Sequence, residues 1–144
     1  MGIIGIGSQG KFYAEFIAKG KVDNIELAAL SSPSLEKKHT YEKLYPTIPY
    51  YRNYLDLLES SFIDAVIICT PHYLHPEIAI AAIKRDTHVL IEKPAGVQGS
   101  KVKELNEAAQ SKPTLSFGLI FNQRMNTLYQ KVKELIDRGE IGNI

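Results

Sequence analysis

The chain has 144 residues, with Lys+Arg 17 against Asp+Glu 16, 44% hydrophobic and 23% charged content, enough for one domain with a sizeable core. This composition excludes disordered, collagen-like and disulfide-rich classes, and a net charge of +1 gives no footprint for nucleic acid or an anionic membrane. The lone Cys69 makes no internal disulfide and no apolar run reaches the ~20 residues of a membrane span, so a soluble cytoplasmic domain is expected.

Gly2 to Ile6 is a short β-branched run with no polar face, the pattern of a strand buried on both sides. Phe12, Phe16 and Ile17 then recur at helical spacing, and Gly20 stops that helix. Ile25 to Leu30 reads as a second strand, and Leu35 to Leu44 as a charged surface helix. Thr47 to Tyr51 is confined to a short edge strand by its prolines. Asn53 is positioned to cap a helix over 54–59, with Asp56 at the capping-box position.

Asp64 to Cys69 is the clearest buried strand, and Pro76 sits in the first turn of a helix running to about Arg85. Thr87 to Ile91 is a strand, Ser100 to Ser111 an amphipathic helix, and Thr114 to Phe121 the last strand. Thr127 to Arg138 carries Leu128, Val132, Leu135 and Ile136 on one stripe and ends at Gly139. Alternation at these lengths implies right-handed crossovers and a doubly wound parallel sheet in a three-layer α/β/α arrangement.

Gly5-Ile6-Gly7-Ser8-Gln9-Gly10 is a G-x-G-x-x-G run between a predicted strand and a predicted helix. In that setting Gly5 permits the tight turn, Gly7 lets a pyrophosphate approach, and Gly10 lets helix and strand pack closely. The helix start at Ser8 and Gln9 offers unpaired N–H groups to phosphate. The plainer reading is an ordinary strand-to-helix turn. An acidic residue ~20 positions further on usually holds the adenosine ribose. Here the stretch is Leu30-Ser31-Ser32-Pro33-Ser34, without a carboxylate. Ser31 and Ser32 are therefore candidate contacts. Ser32, Ser34, Lys37 or Lys38 can take a 2′-phosphate, which leans the expectation slightly from NAD toward NADP; equally, these serines can simply cap the next helix.

Four segments in this order resemble the Gfo/Idh/MocA oxidoreductases, the family of glucose–fructose oxidoreductase and inositol dehydrogenase. They are the glycine loop, Cys69-Thr70-Pro71-His72-Tyr73-Leu74-His75, Glu92-Lys93-Pro94 and Gly139-Glu140-Ile141-Gly142. Asn122-Gln123-Arg124 is similar to the family's Asn-Arg-Arg stretch, with Gln123 and Met125 departing from it. The resemblance implies a Rossmann-type NAD(P)-binding domain of an enzyme moving hydride between nicotinamide and a sugar, polyol or related substrate. It also implies that Thr70, Pro71 and His75 line the dinucleotide and that Glu92 lies near the nicotinamide ribose. Lys93 is then the catalytic residue facing the substrate, and Arg124 lies near the nicotinamide end.

The chemistry suits these residue types. Oxidising an alcohol needs a proton acceptor and a positive group for the developing alkoxide, and a lysine at a largely apolar site supplies the second. Lys93 read without the family is a surface lysine at a strand end, and Glu92 a helix-terminal carboxylate or salt-bridge partner. His72 and His75 lack a third ligand at recognisable spacing, so no metal is expected. Cys69 reads as a packed small hydrophobe, the cluster Tyr41, Tyr45, Tyr50, Tyr51 and Tyr54 as packing under the third strand, and Lys101 and Lys103 as a solvated helix face.

The family ordinarily continues into a second α/β domain with the substrate pocket and subunit interface. The expected division is 1–121 as the dinucleotide-binding domain and 122–144 as the connecting segment and helix, with that domain's first strand due at Gly142-Asn143-Ile144. On this expectation the chain is the cofactor half of a longer, oligomeric enzyme and is inactive alone. The alternative is a non-catalytic module that holds or senses NAD(P).

Overall fold

β1 (Gly2–Ile4), buried along its whole length, is the centre of the sheet in a computed structural model that describes residues 1–142. The expected strand start at 143–144 lies outside the described residues. Six strands pair in the order β3-β2-β1-β4-β5-β6, all parallel, with β2 at Ala29–Ser31, β3 at Tyr50–Tyr51, β4 at Ala65–Ile68, β5 at His88–Glu92 and β6 at Phe117–Ile120. The expected doubly wound sheet is present. The order reverses at β1, and such a switch point opens a crevice at the carboxyl ends of the strands.

The helices are α1 (Ser8–Ala18), α2 (Leu35–Leu44), α3 (Tyr54–Leu58), α4 (His75–Ile83), α5 (Gly99–Gln110) and α6 (Thr127–Asp137). Two caps form as the residue types predict. Ser34 accepts from the Lys37 N–H at the start of α2, and Asn53 from the Leu55 N–H at the start of α3. Short 3-10 turns over His72–Leu74 and Asn122–Met125 lead into α4 and toward α6.

Strand alternation sorts the core into two layers. Ile4 and Ile68 join Leu57, Ile78, Ile91 and Leu105 on the face covered by α3, α4 and α5. Ile3 and Ile67 join Ile6, Ala14, Leu30 and Tyr41 on the face covered by α1 and α2. The tyrosines divide between these layers: Tyr41, Tyr45 and Tyr50 stack on one side, while Tyr51 and Tyr54 pack on the other.

Two strands are shorter than the sequence pattern suggests. Residues 25–28 lie mostly beyond the start of β1, where Met1 alone meets them: its carbonyl accepts from the Ala28 N–H at 2.9 Å and its amino group donates to the Glu26 carbonyl at 3.0 Å among the described residues. β3 shrinks because Pro49 has no N–H to give, although its carbonyl accepts from Leu30 at 3.0 Å. The apolar stripe of α6 exists as expected, but no residue of α6 is buried and Leu128 is 75% exposed.

Candidate functional site at the switch point

The turn after β1 fixes the geometry of this edge. Gly5 sits at φ +94, where a Cβ would come within 2.6 Å of the Cys69 carbonyl carbon. A Cβ on Gly10 would collide with the Gly5 carbonyl oxygen. Gly7 differs: a Cβ there would meet nothing within 4 Å. No protein atom requires a glycine at 7, so the space beside it is open to a ligand.

Gly7 is also the N-cap of α1, with no side-chain cap and no acidic residue in the first turn. The uncapped N–H groups of Ser8 and Gln9 and the positive end of the helix therefore face a cleft of about 210 Å³. Thr70, His72, Glu92, Lys93 and Asn122 line the same cleft. The orphaned donors, the missing Cβ and the nearby lysine fit a phosphate-bearing ligand.

Glu92 ends β5 and is 8% exposed. Its carboxylate accepts from the Tyr13 hydroxyl at 2.5 Å and from the Lys93 backbone N–H at 3.1 Å. Lys93 is exposed at the cleft mouth and makes no ion pair among the described residues. The Lys93–Pro94 peptide is cis. Cys69 borders the cleft with its thiol pushed up to about 12, by burial first and the Glu92 charge second. It is a packed group and not a nucleophile at neutral pH.

His75 stands apart from the expectation. It is fully buried, with Nδ1 at 2.8 Å from the Pro94 carbonyl oxygen and Nε2 at 2.9 Å from the Thr70 carbonyl oxygen. Both ring nitrogens face backbone carbonyls, and one of them donates its N–H there, so the side chain has no edge for a ligand. It ties the loop after β4 to the loop after β5. Pro71 is exposed and starts the 3-10 turn, accepting from the Leu74 N–H at 2.9 Å. The Thr70 hydroxyl is buried without a hydrogen-bond partner among the described residues.

Beyond Gly5 and Thr70 the crevice continues into a second cleft of about 230 Å³, bordered by Ser31, Ser32, Pro33 and Arg52. Arg52 donates from Nε to the Pro33 carbonyl at 3.4 Å and makes no salt bridge among the described residues. Sequence reasoning missed it, because it lies at the end of β3 and meets the β2 turn only in the folded chain. Ser34 is engaged as the α2 cap, whereas Lys37 borders a separate hollow beside Gly7 and Lys11.

Arg124 is not drawn into either cleft. Its guanidinium lies 5.2 Å over the Phe121 ring, and Asn122 is the residue of that turn that reaches the site. A further cleft of about 550 Å³ between α4 and α5 lies away from the glycine loop, and its Lys101 and Glu104 pair with each other. Among the described residues no group of His, Cys, Asp and Glu is arranged to hold a metal. No helix among the described residues is long and apolar enough to cross a membrane.

A parallel sheet with this order and an open glycine turn at its reversal point is a Rossmann-type dinucleotide-binding fold. Residues 1–118 match the sequence model of the oxidoreductase family GFO_IDH_MocA, described as an NAD-binding Rossmann fold. The chain belongs to that family. It is 28% identical over 142 residues to the myo-inositol 2-dehydrogenase of Thermotoga maritima, covering 99% of this chain and 42% of the relative. Among solved structures it superposes on scyllo-inositol dehydrogenase from Lactobacillus casei with bound NAD(H) and scyllo-inositol, at TM-score 0.90 and 29% identity, covering 99% of this chain and 42% of that one. The myo-inositol 2-dehydrogenase of Lactobacillus plantarum gives TM-score 0.89 at 29% identity, with the same coverage of both chains. The chain thus spans about 42% of the length of these relatives.

Proposed function

We propose that this chain binds a nicotinamide dinucleotide across the switch point, as the cofactor-holding part of an enzyme oxidising a polyol or sugar-type alcohol. The open side of Gly7, against the uncapped start of α1, is the observation that carries this reading. The pyrophosphate rests on Gly5, Gly7, Ser8, Gln9 and Gly10, the adenosine reaches toward Ser31, Ser32 and Thr70, and the nicotinamide ribose lies beside Glu92. When bound, the nicotinamide accepts hydride. Lys93 supplies positive charge to the substrate oxygen from the cleft mouth. Pro71 shapes the loop over the cofactor, His75 holds that loop from beneath, and Arg124 belongs to the connecting turn. The division at residue 121, with the substrate pocket and subunit contacts in a second domain, follows from the family resemblance. A cytoplasmic setting is supported by the single free thiol of Cys69.

The cofactor form is the open choice within this reading. The stretch Ser31–Ser34 carries no carboxylate to repel a 2′-phosphate, and Arg52 brings a cation to the same turn. These features favour NADPH, while the likeness to a NAD(H)-bound structure favours NADH. Calorimetric titration of the chain with both decides it. The expected result is binding of both, with NADPH at least as tight; binding of neither overturns the assignment.

A further inference from the structure

We infer that Tyr13, on α1, is a positioning residue that presents the Glu92 carboxylate to the ribose diol on the nicotinamide side of the dinucleotide; the inference rests on the function proposed above. A carboxylate that is 8% exposed must be hydrogen-bonded, and no cation pairs with Glu92 among the described residues. Its partners are the Tyr13 hydroxyl on Oε1 at 2.5 Å and the Lys93 N–H on Oε2 at 3.1 Å. Those two bonds fix the plane of the carboxylate. They leave acceptor capacity on both oxygens in a group that borders the cleft. An ionised carboxylate only accepts, so the ligand groups it selects are hydroxyl donors.

Tyr13 is suited to one direction of donation. Burial raises its phenol, and the bond to Glu92 raises it further, so the hydroxyl keeps its proton and gives it to the carboxylate. The bond spans 79 residues of sequence. It also joins the two ends of the proposed site. The helix whose start meets the pyrophosphate is the helix whose second turn holds Glu92, so phosphate and ribose contacts are set by one rigid element.

The test is a ladder of ligands titrated by calorimetry into wild type, Tyr13→Phe, Glu92→Leu and the double variant. ADP carries the adenosine and pyrophosphate, ADP-ribose adds the second ribose, and NADH adds the nicotinamide. In Tyr13→Phe, ADP affinity is expected to stay within about twofold, while ADP-ribose and NADH weaken about fivefold to tenfold, as for one charge-assisted hydrogen bond. In the Glu92→Leu background, which has no acceptor for the Tyr13 hydroxyl, Tyr13→Phe is expected to add nothing to that loss. Equal weakening of ADP and ADP-ribose marks Tyr13 as structural only and overturns the inference. So does an unchanged ADP-ribose affinity, or additive losses in the double variant. If Tyr13→Phe does not fold, Tyr13→Met removes the same donor with a different side chain: a loss confined to ADP-ribose and NADH supports the inference, and an unchanged ladder overturns it. Failure of the wild-type chain to bind ADP or NADH would instead overturn the dinucleotide reading itself.

Discussion

Burial raises the Cys69 thiol from 9.0 to about 12, and this gives the folded state a measurable alkaline weakness. The unfolded chain releases the proton at the lower value and the folded chain at the higher, so the folded state binds it more tightly between them. The stabilisation is fully present below pH 9.0 and is lost as pH rises toward about 12, at about 1.4 kcal/mol per pH unit while only the unfolded thiol is ionised. Urea midpoints measured at about pH 8 and about pH 10 should fall for wild type, and fall distinctly less for Cys69→Ala. A parallel drop in both proteins would assign the loss to other groups, of which Tyr13 and Tyr54 shift in the same direction. The sequence shows Cys69 at the end of an apolar run, and that suffices to read it as packed. It does not show Glu92, which lies on a different strand and deepens the shift.

The strand–turn–helix element between β1 and α1 assigns different duties to its glycines. Gly5 and Gly10 answer to the chain, since a Cβ at either would meet backbone. Gly7 answers to whatever occupies the cleft. Gly10→Ala should therefore destabilise the fold by about 1–3 kcal/mol or more, the scale of overpacking. Gly7→Ala should change stability by no more than about 1 kcal/mol, the scale of an N-cap change, yet weaken NADH at least about tenfold. Thermal melts and titrations of the two variants separate these outcomes, and a Gly7→Ala chain that binds NADH normally would remove Gly7 from the site. Spacing alone made the loop legible as a phosphate-binding turn. It also pointed to Gly7 as the glycine facing the ligand, but the Cys69 and Thr70 backbone atoms that exclude a Cβ at Gly5 meet the turn only in the folded chain. Arg52 was missed, and the tie from His75 to the next loop was not foreseen, for the same reason: their partners, Pro33 and Pro94, lie 19 residues away in sequence.

At the scale of the molecule, the six parallel strands follow from apolar runs alternating with amphipathic helices, each carrying its own local signal. What no local signal supplies is a partner for α6, whose stripe reads as core-facing and yet lies exposed: Leu128 is 75% and Val132 46% exposed. Because no residue of α6 is buried, removing the residues after Asn126 should shift the melting temperature by less than about 3 °C, consistent with a proposed domain ending near Phe121. A loss of cooperative unfolding on that deletion would show that the helix holds the sheet together. The placement of β1 has a further consequence in time. The glycine turn follows a strand that stands between β2 and β4: Gly2 pairs with Ala29 and Val66, and Ile4 with Ser31 and Ile68. Every neighbour in the sheet is distant along the chain, the topology of a slow folder. Even once β2 has paired, β1 therefore keeps one edge open until β4 closes on it, and the glycine turn is fixed only when both neighbours are in place.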